Sequence, residues 1–186
     1  HRDLHSFPTR RSSDLATRPG DIVTSYSKQT VEIMDTDAEG RLIMADALSY
    51  SAKFNPSCVI DVATLTGQAG SIFNNLSIVI MGNNNTLLKT FENIGAFTNE
   101  KIWQLPMWSE YNKLLDSSVA DIKNASKSGA GTILGGVFLS KFIPKKIKWM
   151  HVDIAGVSFF EHDVNVNGAT GTSIISLFEL LKGLKK

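Results

Sequence analysis

The stretch CVIDVATL, residues 58–65, sets the fold class. It is a short, nearly continuous apolar run rich in β-branched residues, the pattern expected of a strand buried on both faces. SIVIMG (77–82) repeats that pattern, and WMHVDIAG (149–156) reads as a third buried strand. Helical segments lie between and around them. In RLIMADALSYSAKF (41–54), Leu42, Ala45, Leu48 and Ala52 fall near helical spacing, and Asn55-Pro56 ends the segment. TGQAGSIFNN (66–75) reads as a short helix or loop, and residues 84–99 and 108–117 read as helical. GTILGGVFLSKF (131–142) is an apolar helix whose small residues permit close packing, and SIISLFELLKGL (173–184) is an amphipathic one. Upstream, Pro19-Gly20-Asp21 marks a turn, and IVTSY (22–26) and TVEIM (30–34), separated by Ser27-Lys28-Gln29, predict a hairpin or a pair of sequential strands. Strands alternating with helices predict an α/β domain whose central sheet is mainly parallel or mixed and is flanked by helices.

The chain has 186 residues, 19 Lys+Arg against 18 Asp+Glu, and a formal net charge of +1. Such a balance supplies no basic field for a phosphate backbone, so no nucleic-acid partner is expected. No apolar run has membrane-spanning length. The single cysteine, Cys58, excludes an intramolecular disulfide and any Cys-rich zinc site, which is in keeping with a reducing compartment such as the cytoplasm.

Composition shifts abruptly within residues 1–15, HRDLHSFPTRRSSDL. A transit peptide is a poor match, because Asp3 and Asp14 interrupt the segment and it has no amphipathic pattern. Back-translated, the segment resembles a common sequencing-library adapter read in frame, which implies that it is foreign to the protein. Without its three Arg and two Asp, 16 basic and 16 acidic residues remain. On this reading residues 16–186 are a C-terminal part of a longer domain, truncated at its N-terminal side.

The sharpest chemical feature is DTDAEGR, residues 35–41, with carboxylates on Asp35, Asp37 and Glu39 at every second position. On an extended backbone these would share a face. Three carboxylates held together repel unless a cation sits among them, so a divalent metal is one natural resolution. Arg41 adds a planar donor fork able to bind an anion or a developing oxyanion. Three readings compete. The stretch can be a solvated acidic turn before a helix. It can be a calcium loop, since Asp35, Asp37, Glu39, Gly40 and Asp46 fall at positions 1, 3, 5, 6 and 12 of an EF-hand, although a strand-like segment precedes it. It can also be a catalytic metal site at a strand-to-helix junction.

The wider chain carries a resemblance. RPGDIV (18–23), TDAEGRLIMADALSY (36–50), DVATLTG (61–67), HVDIAG (151–156) and GATG (168–171) occur in this order, together with ADIKN (120–124) and AGTILGGVFL (130–139). As a set they closely resemble the catalytic domain of the leucyl aminopeptidase (cytosol aminopeptidase) family. The resemblance implies a two-metal peptidase, using zinc or manganese, that removes N-terminal residues such as leucine from peptides. It implies Asp37 and Glu39 as metal ligands, and Arg41 as the holder of a bicarbonate that shuttles protons. Thr64 and Leu65 match positions lining the substrate site through backbone groups, and Gly67 one that leaves room for the substrate side chain. A homo-hexamer and a cytoplasmic location are implied as well.

Two departures from the family pattern stand out. Asp35 replaces the family's Asn, adding a negative charge and removing a donor beside the ligands. The family's other ligands, a lysine and two aspartates, and its catalytic lysine lie upstream of the RPGD segment and have no counterpart in these 186 residues. The isolated chain is therefore expected to be inactive, and a non-catalytic relic acting through packing is the rival reading. Asp61, His151 and Asp153 read as structural strand-end groups, Asp46 as a backbone or Arg41 partner, and Cys58 as a small core residue. Met44, Met81, Met107, Trp103, Trp108 and Trp149 read as core or subunit packing, and Gly129, Gly131, Gly135 and Gly136 as aids to helix packing.

Overall fold

Four strands form the central sheet of the computed structural model, which describes residues 16–160 and 168–184. They are β3 (Cys58–Ala63), β4 (Ile78–Gly82), β5 (Ile102–Gln104) and β7 (Lys148–Asp153), in the order β3-β7-β4-β5. β3 and β7 run parallel, as do β4 and β5, while β4 and β7 are antiparallel, so the sheet is mixed. A second sheet joins β1 (Ile22–Thr24), β2 (Thr30–Glu32) and β6 (Ile122–Lys123), the first pair antiparallel as the hairpin reading requires. β8 (Phe159–Phe160) and β9 (Gly168–Ala169) make a small antiparallel pair. Residues 1–15 lie outside the described residues.

The helices are α1 (Gly40–Ser51), α2 (Gln68–Phe73), α3 (Asn85–Thr98), α4 (Gly131–Ser140) and α5 (Ile174–Leu184). They cover both faces of the central sheet because β4 alternates. Ile78 and Ile80 pack with Leu88 and Phe91 of α3 and Leu180 of α5, whereas Val79 and Met81 pack with Ala69 of α2 and Ile133 of α4. α3 begins where Asn84 Oδ1 accepts the Leu87 amide at 2.9 Å, and it ends at Asn99 in the left-handed region, φ 61°. A third cluster joins α1 and α4 through Ala45, Leu48, Val137 and Phe138.

Several expectations change. β3 is not buried on both faces: it is the edge strand of the mixed sheet, and Val62 is 40% exposed. Val59 packs against the cluster of α1 and α4, and Cys58 and Ile60 against that of α3 and α5, so each face is covered in part. Residues 109–115 form a 3-10 helix rather than an α-helix. Trp149 and Met81 are core residues as read, but Trp103 and Trp108 are largely exposed, so neither belongs to the core. The glycine reading holds at Gly136 of α4, where an added Cβ would stand 2.5 Å from Met81 Sδ. Its absence lets α4 lie directly on β4.

Candidate active site

The acidic turn is neither extended nor an EF-hand loop. Residues 36–38 form a 3-10 turn capped by Asp35, whose Oδ1 accepts the Asp37 amide at 3.0 Å. α1 then starts at Gly40, so the three carboxylates do not share a strand face. A calcium loop would need residues 35–46 free to wrap an ion, and half of them are helical. Asp46 instead accepts the Tyr26 amide at 2.7 Å, the backbone role expected of it. Among the described residues no three His, Cys, Asp or Glu side chains converge into a metal-holding group.

Asn124, immediately after β6, fixes the turn. It is fully buried, and its Oδ1 accepts the amides of Met34 at 2.8 Å and Asp35 at 3.2 Å. Its Nδ2 donates to the Asp35 carbonyl at 2.6 Å. Its own carbonyl accepts Arg41 Nη1 at 2.7 Å. One side chain thus satisfies several backbone groups and ties the acidic turn to α1. The segment ADIKN gives no local hint of a role for Asn124, since only a contact across roughly ninety residues reveals one.

Arg41 is 8% exposed, and its Nε is buried with no hydrogen-bond partner among the described residues. Burial lowers its pKa, while the charges of Asp35 and Asp153 oppose that shift. The guanidinium is a permanent cation. It sits between two adjoining hollows. One, of about 350 Å³, is lined by Asp35, Asp37, Arg41, Leu65, Gly67 and Gln68 among others. The next, of about 400 Å³, includes Asp37, Glu39, Arg41, Thr64 and Leu65. The six residues singled out from the sequence therefore all line this pair of hollows: Asp37, Arg41 and Leu65 border both, Gly67 the first, and Glu39 and Thr64 the second. A larger hollow of about 550 Å³ beside β5 is lined by Phe73, Ile102 and Trp103 and gathers no comparable chemistry.

Behind the 64–67 loop lies a buried polar chain through Asp61, His151 and Asp153, the strand-end groups read from the sequence as hydrogen-bonded rather than catalytic. Parallel pairing places Asp61 of β3 opposite His151 of β7. His151 Nδ1 hydrogen-bonds Asp61 Oδ1, and Asp61 Oδ2 accepts Trp149 Nε1–H at 2.6 Å. His151 Nε2 faces Asp153 Oδ2 at 4.0 Å, a Coulombic contact beyond hydrogen-bond distance. Burial alone pulls the His151 pKa down, but Asp153 and Asp61 outweigh it and push it up to about 9. Asp153 Oδ2 in turn accepts the Thr66 amide at 3.2 Å and the Thr66 hydroxyl at 2.7 Å.

Comparison with known proteins gives the family. The family profile described as "Cytosol aminopeptidase family, catalytic domain" matches residues 9–178. The chain belongs to the cytosol aminopeptidase family. It is 48% identical over 166 residues to the cytosol aminopeptidase of Pseudomonas aeruginosa, covering 89% of this chain and 33% of that one. It is 46% identical over 171 residues to the "Probable cytosol aminopeptidase" of Chlorobium limicola, covering 91% of this chain and 34% of that one. Its fold is similar to that of a tomato leucine aminopeptidase mutant, K354E, with a TM-score of 0.83 and 35% identity over 89% of this chain and 32% of that one. The chain spans about a third of the length of the relatives it matches. That likeness to a solved leucine aminopeptidase fits the α/β architecture read from the strands, and this family's signature segments are the ones that build the cleft.

Proposed function

We propose that this chain is the C-terminal part of the catalytic domain of a metal-dependent leucyl aminopeptidase, a cytoplasmic enzyme releasing N-terminal residues from peptides. The observation that carries it is the pair of adjoining hollows lined by Asp37, Glu39, Arg41 and the 64–67 loop. The donor set suits a divalent ion: Asp37 and Glu39 are exposed, and their carboxylates have no hydrogen-bond or ion-pair partner among the described residues. Hard oxygen ligands of this kind suit zinc, manganese or magnesium, and the two form part of a site rather than the whole.

In this reading Asp37 and Glu39 hold the metals. Bound there, two divalent ions would supply Lewis-acid polarisation of the scissile carbonyl and a hydroxide near neutral pH. Arg41, whose guanidinium lines both hollows, would hold an anion such as bicarbonate, which would supply a proton acceptor there. Thr64 and Leu65 present backbone groups to the peptide, and Gly67, with no atom within 4 Å of an added Cβ, leaves space for the substrate side chain. Ile174, Ile175, Phe178, Leu181 and Leu184 of α5 are more than half exposed. This apolar stripe supports burial against further protein, in keeping with a homo-hexameric enzyme.

The test is leucine-amide hydrolysis by the full-length protein. Turnover should fall to background on chelation and return with Zn²⁺ or Mn²⁺; absent or chelator-insensitive cleavage would overturn the assignment. The 186 residues alone should not cleave the amide, because two free carboxylates fall short of the four or more ligands a divalent ion takes. Asp35→Asn tests the departure from the family pattern. Asn keeps an acceptor oxygen for the Asp37 amide, so the turn persists, but one negative charge beside the ligands is lost. Metal affinity, measured by titration calorimetry, should weaken a few-fold to about tenfold, and an unchanged Kd would contradict that role for Asp35.

A further inference from the structure

We infer that Asp153 is a positioning residue for the substrate-facing loop: through Thr66 it fixes residues 64–67 relative to Arg41, and His151 and Asp61 clamp it from behind. The inference rests on the reading of the cleft as a peptide site and adds residues that only the structure brings together.

Asp153 is 1% exposed, and each of its oxygens is engaged. Oδ1 accepts the Ala155 amide at 3.1 Å, which orients the carboxylate from its own strand end. Oδ2 takes both the amide and the hydroxyl of Thr66. A carboxylate only accepts, so the Thr66 hydroxyl must donate to it, and the Thr132 hydroxyl of α4, 2.9 Å away, donates to Thr66 in turn. Thr66 is thereby gripped from β7 and α4 at once, one residue after Leu65 and one before Gly67. Gly135 of α4 reinforces the grip, since an added Cβ would stand 3.0 Å from the Thr66 methyl and 3.6 Å from Arg41 Nη2.

The clamp behind Asp153 is equally specific. His151 is fully buried between Asp61 and Asp153, which face it from β3 and from its own strand; its partner on β4, Met81, is apolar. The register of β3 on β7 sets Asp61 against His151, and Asp61 is itself held by Trp149 Nε1–H. The chain Trp149, Asp61, His151, Asp153, Thr66 therefore runs from the sheet interior to the cleft. Hydrogen bonds hold every link but one: between His151 Nε2 and Asp153 the contact is Coulombic, at 4.0 Å.

Thr66→Val in the full-length enzyme removes the hydroxyl at nearly constant volume. The expected result is a KM for leucine amide raised about tenfold with kcat changed less than threefold, the split of lost substrate positioning. Amide hydrogen exchange at residues 64–67 should quicken at least tenfold, while β4 amides stay unchanged. Thr66→Ser, which keeps the hydroxyl, should restore both readouts. Thr66→Ala replaces the valine variant if that one does not fold. Unchanged KM and exchange in an active enzyme would overturn the inference, as would faster exchange with unchanged KM. Lack of aminopeptidase activity in the unmodified protein would instead strike at the assigned function, leaving the exchange experiment to judge the Asp153–Thr66 contact alone.

Discussion

The double substitution Asp37→Asn, Glu39→Gln is expected to lower leucine-amide turnover by the full-length enzyme ~10³-fold or more while changing its unfolding free energy by less than about 1 kcal/mol. The two effects separate because of where these side chains stand. Both residues are exposed, on a turn held by Asp35 and Asn124 rather than by their own carboxylates. Swapping carboxylate for amide keeps shape and rotamer, and removing two like charges a few residues apart is neutral or mildly stabilising in a metal-free protein. Metal binding loses two anionic oxygen ligands. Lewis-acid stabilisation is worth several kcal/mol of barrier, and each step of about 1.36 kcal/mol is tenfold in rate, which gives the thousandfold figure. Circular dichroism and urea denaturation check the fold, and steady-state kinetics with saturating Mn²⁺ or Zn²⁺ check the rate. Turnover within tenfold of the unmodified enzyme would remove Asp37 and Glu39 from the metal site.

Arg41 shows why these carboxylates sit where they do. Buried cations need nearby negative charge, and Asp35 and Asp153 supply it from opposite sides of the cleft. Asn124 adds a carbonyl on Nη1. The site is thus assembled from four parts of the chain: the turn before α1, the segment after β6, and the ends of β3 and of β7. Each sits at a strand or helix terminus, where backbone groups and side chains remain free to face a ligand.

Much of this was legible in the residues alone. Strands β4 and β7 announced themselves by runs of Ile, Val and Met, because burial demands that pattern locally, and residues 84–99 read as the helix that α3 is. β5 and β6 escaped, being three and two residues long with pairing partners far away in sequence. β3 misled for a different reason: an apolar run records that a strand packs well, not that both its faces are fully covered. The signature 36–42 located Asp37, Glu39 and Arg41, yet its alternation of carboxylates suggested extended backbone. The Asp35 cap and the Asn124 hydrogen bonds turn it into a 3-10 turn instead. Asn124, Thr66 and Asp153 share one obstacle, since each works through a contact some eighty to ninety residues away that no local pattern encodes.

Stability should fall by about 3 kcal/mol between roughly pH 6.5 and pH 9, and the fall should vanish in His151→Gln. In the folded chain the His151 pKa stands at about 9, against an ordinary 6.5. A raised pKa means that the folded state holds the proton more tightly than the unfolded one. The stabilisation is therefore complete below pH 6.5 and is lost as pH climbs through the folded value, at about 1.36 kcal/mol for each pH unit that separates the folded and unfolded pKa values. Neutral imidazole can keep its Nδ1–H bond to Asp61, but its Nε2 lone pair then faces the Asp153 carboxylate across 4.0 Å. Repulsion replaces attraction in a site with no exposure to water. Among the described residues, neither of the other shifted groups that titrate above neutrality mimics the effect: burial moves the Cys58 thiol upward from 9.0, and Arg41 stays charged throughout. Urea denaturation at pH 6 and at pH 9, read by Trp149 fluorescence, measures the difference. A flat profile in the unmodified protein would mean that His151 is neutral and that the Asp61–His151–Asp153 chain is held by hydrogen bonding without a buried cation.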